Sequence, residues 1–225
     1  MYNKKFAFTL AEVIITIGII GIIAEITIPN LVSDYQKQVT VNKLKKTYSE
    51  ISQAIKLSEI DNSNFSTWEA PTTGDSESNL KHFETYWAPY LKILKYCKTT
   101  SDCNYPNNVF YRKNKTKHHF ADTDAQVTTV LSDGTCLIVR FGYRDNNNSF
   151  VKDYTIFIDI NGSQKPNTYG KDVFIILIND NGFVRPAGYT LSTDTINNEC
   201  VNIEGRYCFA KIVNDGWQIK DDYGW

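Results

Sequence analysis

Scarcity of metal-binding and catalytic residue types is the first bound on this chain of 225 residues. It has only three histidines and five cysteines. No Cys-x-x-Cys pair occurs, and His82, His118 and His119 all lie away from the cysteine pairs, so the usual spacing of a zinc site is missing. Gly-x-Ser-x-Gly, His-Glu-x-x-His and a phosphate-cradling glycine loop are absent as well. The sequence therefore carries no signature of a hydrolase elbow, a zinc protease or a nucleotide-binding enzyme. Catalytic groups need not be adjacent in sequence, so a membrane-anchored enzyme stays open as an alternative. An excess of one charge sign is also lacking: 24 Lys and Arg face 25 Asp and Glu, which argues against nucleic acid as a partner of the whole chain. The one basic cluster, RKNKTK at residues 112–117 beside Phe110 and Tyr111, offers cations for phosphates, or simply forms a solvated turn.

Long apolar runs are missing too, with a single exception at residues 8–28. As a helix this stretch is long enough to cross a hydrocarbon layer of about 30 Å. Lys4 and Lys5 precede it, but Lys37, Lys43, Lys45 and Lys46 follow it, so charge alone leaves the orientation undecided. Glu12 interrupts the run near its start. A carboxylate deep in a bilayer segment costs about 2.5–3.5 kcal/mol on insertion scales, so a partner must neutralise it. Glu25 lies near the far end, where its side chain can snorkel to the headgroups. Gly18 and Gly21 permit close approach of another helix, or are ordinary membrane-helix composition.

A signal-peptidase site of the small-x-small kind is not found after the run, because Ile22 stands two residues before Ala24. The stretch KFAFTLAE, residues 5–12, instead resembles the prepilin-type signal of type IV pilins and type II secretion pseudopilins. The resemblance implies a leader at 1–7, cleavage between Ala7 and Phe8 by a prepilin peptidase, and N-methylation of Phe8. It implies a transmembrane and assembly helix at 8–28, where Glu12 pairs with the α-amino group of a neighbouring subunit and fixes axial register. Pro29 matches a proline common in these helices at the membrane exit. The implied setting is the inner membrane, single-pass with the head extracytoplasmic, and then a filament in the periplasm or at the cell surface. The implied partners are other subunits and the assembly machinery.

Beyond Pro29, Val41, Leu44, Tyr48, Ile51 and Ile55 recur at helical spacing, which extends the helix in amphipathic form over residues 29–60. From residue 8 the whole would measure roughly 80 Å. Residues 61–225 form the globular head. Leu80, Phe83, Trp87, Leu91 and Leu94 predict a further helical segment, broken or kinked at Pro89. Strands are expected at 126–131, 135–143, 150–160 and 172–178, the first two joined by Ser-Asp-Gly and the last closed by Asn-Asp-Asn-Gly. The fold class is α+β: a long helix covering one face of an antiparallel sheet, in the pilin layout.

Cysteine spacing suggests two small loops, Cys97 with Cys103 and Cys200 with Cys208, in an oxidising compartment. Each would contribute about 2 kcal/mol. Cys136 is left over, as a buried thiol or as a substitute partner in either pair. Finally, DINGSQKPNTYGKD at residues 159–172 places Asp159, Asn161 and Asp172 among Gly162, Asn167 and Gly170 between two strands. These are hard oxygen donors suited to calcium, although the EF-hand spacing is not met. The same residue types also make turns.

Overall fold

The computed structural model describes residues 8–72, 75–105, 109–119, 126–144, 150–151 and 154–225. Ala7 and the rest of the expected leader lie outside the described residues. The chain divides into two compact units, residues 1–39 and 40–225. Helix α1, Leu10–Asn62, begins in the first and ends in the second, and it continues through Pro29.

The second unit is built on a six-stranded antiparallel sheet. Its strands, in spatial order, are β1 (Ile93–Cys97), β4 (Gln126–Leu131), β5 (Cys136–Arg140), β8 (Tyr154–Asp159), β9 (Val173–Ile178) and β10 (Val184–Pro186). Two small hairpins complete the strands: β2 (Val109–Tyr111) with β3 (Lys117–His119), and β6 (Tyr143–Arg144) with β7 (Phe150–Val151). Side chains of successive strand residues point to opposite faces, and here both faces are covered. Leu137, Val139, Ile156, Ile158, Phe174, Ile176 and Ile178 pack with Val41, Leu44, Ile51 and Ile55 of α1. The intervening Ile138, Phe157, Val173 and Ile175 pack with Tyr105, Phe110 and Tyr169 in a second cluster. The expected α+β arrangement is therefore present, with the α1 stripe at 41–55 as one cover.

Polar contacts fix α1 against the sheet. Tyr48 donates to the Val184 carbonyl (2.9 Å), and Lys43 Nζ donates to that of Ile160 (3.2 Å). Lys46 meets Asp133 at 2.6 Å on the Ser-Asp-Gly turn between β4 and β5. The first two satisfy carbonyls at the sheet margin, whereas the last is partly exposed and contributes little.

Helix α2 spans Ser76–Tyr86, and Asp75 caps it by accepting from Glu77 N. The break expected at Pro89 is present, and the apolar spacing at Leu91 and Leu94 beyond it is not helical. A 3-10 turn at Ala88–Tyr90 contains Pro89, and β1 then begins, with Leu94 71% exposed on this edge strand. Proline removes a helical donor and biases the preceding residue away from the α region, so the apolar spacing past Trp87 belongs to two elements. At the C-terminus, α3 (Thr193–Asn198), a π turn at Glu199–Ile203 and α4 (Cys208–Asn214) follow β10. Phe209 and Ile212 of α4 join the α1 side of the core. Both expected disulfides are formed, Cys97–Cys103 and Cys200–Cys208, and Cys136 is a buried free thiol.

The α1 stripe yields a contrast that urea unfolding of the full chain in detergent can measure, with head tryptophan fluorescence as the probe. Ile51 is fully buried and Ile60 is 78% exposed. Ile51→Ala is expected to cost about 2–5 kcal/mol and Ile60→Ala less than about 0.5 kcal/mol. Equal effects would remove the stripe from its assigned role.

Candidate functional site

At the start of α1, Thr9 and Glu12 form a reciprocal pair. Thr9 Oγ1 accepts from Glu12 N at 3.2 Å, while Glu12 Oε2 accepts from Thr9 N and from Thr9 Oγ1, each at 2.8 Å. This is a capping box, in which the cap residue and the third helical residue satisfy each other's backbone donors. The sequence signal for it is the pattern Thr-x-x-Glu at 9–12, set directly before the apolar run. The carboxylate that has no place in an apolar run thus has two donors at the helix start. Ile14, Ile17, Ile20, Ile22 and Ile26 are exposed along the same segment. Thr16 and Thr27 return their hydroxyls to the carbonyls of Val13 and Ile23, both at 2.9 Å. Backbone and side-chain polar groups satisfied within one helix are the condition for residence in lipid. A Cβ at Gly18 or Gly21 would meet no atom within 4 Å. By length and composition this helix is able to cross a membrane.

The loop expected to bind calcium is assembled on the opposite side of the sheet from α1. Asp159, at the end of β8, pairs in register with Cys136 on β5. Its Oδ2 accepts from the buried Tyr105 hydroxyl, and its Oδ1 accepts from Asn161 N at 3.2 Å. Asp172 accepts from Asn167 N (2.8 Å), Thr168 N (2.6 Å) and Asn161 Nδ2 (3.2 Å). Asn167, with its amide turned so that Nδ2 donates to the Gln164 carbonyl, also reaches Asp159 at 3.3 Å. Asp159, Asn161 and Asp172 are therefore brought together, but by N–H and O–H donors pointing at the oxygens a cation would need. Asn161 Oδ1 is left without a donor among the described residues. Among the described residues no three His, Cys, Asp or Glu side chains gather in a metal-holding group. The donor set fits a hydrogen-bonded hub and does not fit a calcium shell of six to eight oxygens.

Burial, only partly offset by these bonds, pushes Asp159 from its ordinary 3.8 up to about 8 and raises Asp172 as well. Burial also raises Tyr105 and Cys136. Beside the hub lies a cavity of about 330 Å³ lined by Lys95, Cys103, Tyr105, Cys136, Asn161 and Gln164. A thiol raised in this way stays protonated and inert, so the pair of Cys136 and Asp159 is not an activated nucleophile.

The remaining sequence candidates are separate from one another. His82 is buried; its Nδ1 donates to the Glu69 carbonyl at 2.8 Å and its Nε2 accepts from Tyr154 at 3.2 Å. His118 is hydrogen-bonded to Tyr169 in the second cluster, and the side chain of His119 lies outside the described residues. In the basic cluster, Arg112 pairs with Glu204 at 3.3 Å, and Lys113 donates to the Tyr223 carbonyl at 2.7 Å while lying over its ring. Two cations of the basic cluster are thus committed to the C-terminal segment.

The hub has a pH signature. Asp159 has a folded value above its unfolded one, so its contribution is fully present below about pH 4 and is lost as pH rises through about 8. The Tm should fall between pH 5 and 9. Asp159→Asn, uncharged throughout, should show a shallower fall, and EDTA should leave the Tm of the parent chain unchanged. Parallel pH curves for the two chains would contradict the buried-carboxyl account.

Comparison with known proteins adds one assignment. No curated protein and no solved structure matches the chain. Residues 30–182 match a family model described as a family of unknown function, DUF6613. The matched region begins just after Pro29, so it contains the second part of α1 and most of the sheet but none of the apolar stretch at 8–28. Because the match covers more than half of its length, the chain belongs to the family of unknown function DUF6613.

Proposed function

We propose that this protein is a structural subunit of a type IV pilus or type II secretion pseudopilus, processed before Phe8 and polymerised through α1. The observation that carries the reading is Glu12, the one acid near the start of the only apolar stretch, held at the first turn of a 53-residue helix. Cleavage before Phe8 would create an α-amino cation four residues away from that carboxylate. In the free subunit the Thr9 donors stabilise Glu12, and in the filament the amine of a neighbouring copy replaces or joins them. The apolar helices leave lipid for a helical bundle, and the charge pair selects the correctly staggered neighbour. The exposed isoleucines supply the bundle surface, and the long helix covering an antiparallel sheet agrees with the pilin layout. The chain performs no reaction of its own. Its partners are further subunits, the prepilin peptidase, the inner membrane and the assembly machinery.

Two substitutions separate capping from charge pairing. Glu12→Gln retains a capping-box residue but loses the charge, whereas Glu12→Val loses both. Membrane insertion, read by fractionation, should persist in both variants, and filaments sheared from cells should be strongly reduced in both. Normal filaments from Glu12→Gln would reduce Glu12 to a helix cap. Normal filaments from both would remove any role of Glu12 in assembly, and a parent chain absent from sheared filaments would leave a single-pass anchor with an extracytoplasmic binding head as the better reading.

A further inference from the structure

The hairpin between β9 and β10 carries a cation placed between two aromatic rings. Arg185 lies in register opposite Leu177, with its guanidinium carbon 5.5 Å from the centre of the Phe183 ring and 4.5 Å from that of Tyr189. Among the described residues it makes no hydrogen bond and no ion pair. A guanidinium held over aromatic rings by its π contacts keeps N–H donors available to form a fork with a planar carboxylate. Phe183 is 57% exposed and Tyr189 40%, so the rings that hold the cation also present apolar surface to solvent.

These groups line a cleft of about 320 Å³ together with Asn179, Asp180 and Asn181. The turn beneath it is fixed. Asn179 Oδ1 accepts from Asn181 N at 3.2 Å and from Phe183 N at 3.1 Å. Gly182 has φ +75°, and a Cβ there would come within 2.9 Å of Phe65. At the other end, a Cβ on Gly188 (φ +86°) would strike the Tyr207 ring at 2.7 Å, which fixes the bend that carries Tyr189 back toward Arg185. Rigid positioning of a small polar set on apolar walls is the usual build of a ligand site.

The polar groups restrict the ligand. Arg185 can only donate and calls for a carboxylate. Asp180, exposed on the rim, can only accept and calls for hydroxyl or amide donors, and it repels dense anions such as polyphosphate. The asparagine amides can pair with hydroxyls in either sense. A compact ring that bears one carboxylate, several hydroxyls and a C–H face meets all of these demands together. We infer that this cleft binds an acidic sugar, a hexuronate residue of a glycan, with its carboxylate on Arg185 and its hydroxyls on Asp180 and the asparagines. The inference is independent of filament assembly, since every residue it uses lies in the second unit.

The test uses the full chain in detergent, with saturation-transfer NMR titrations of methyl β-D-glucuronide, methyl β-D-glucoside and N-acetylglutamate amide. The glucuronide should saturate, with a Kd on the order of 1 mM, and the other two should bind about tenfold more weakly, because each lacks one half of the recognition. Arg185→Gln should weaken the glucuronide about tenfold with an unchanged Tm. If that variant lowers the Tm, Asp180→Asn on the exposed rim serves in its place and should weaken binding several-fold. Four results would overturn the site: no saturation by the glucuronide, equal binding of the glucoside, equal binding of the glutamate derivative, or affinity unchanged in the folded variant.

Discussion

A sheet with apolar residues on both faces is stable only if both faces are covered, and that requirement organises the second unit. The strands β5, β8 and β9 alternate between two sets of large aliphatic and aromatic side chains, and neither set can be left in water. Residues 41–55 of α1 cover one set, with α4 contributing Phe209 and Ile212. Among the described residues the second set is covered by Tyr105, Phe110 and Tyr169, from loops and from the small β2–β3 hairpin. Loops bring polar backbone with them, and buried backbone donors must be paired. The hub of Asp159 and Asp172 does that pairing where the loop at 161–172 folds under the sheet, which explains why two carboxylates are tolerated there.

The same reasoning separates what could be read from sequence from what could not. Strand β4 occupies the expected 126–131, because β-branched residues run up to an unmistakable Ser-Asp-Gly turn. The α1 stripe was legible because a 3.6-residue period survives in a helix with one buried face. Strand β1 was not, because Leu91 and Leu94 continue the spacing of α2 by coincidence past Pro89. The calcium reading placed the right residues together but could not see that the amides of Asn167 and Thr168 reach Asp172 first. Arg185 was invisible as a site, since Phe183 and Tyr189 meet it only through the bend at Gly188.

The first unit follows a different rule. Along residues 10–28 most side chains are apolar and exposed, so what matters there is whether each polar group is satisfied without water. Thr16 and Thr27 meet that rule by bonding back to their own helix, and Glu12 meets it through Thr9. Among the described residues Glu12 has local donors and no counter-charge, so it gains most from an added cation. That difference is the physical basis for reading α1 as an element that acts by meeting another copy of itself.

The most direct measurement is the N-terminal mass of the protein recovered from membranes of cells with and without a prepilin peptidase. The account predicts a chain that begins at N-methylated Phe8 when the enzyme is present and at Met1 when it is absent. An uncut terminus in both would contradict it, leaving α1 as a plain anchor and the head as the part that acts.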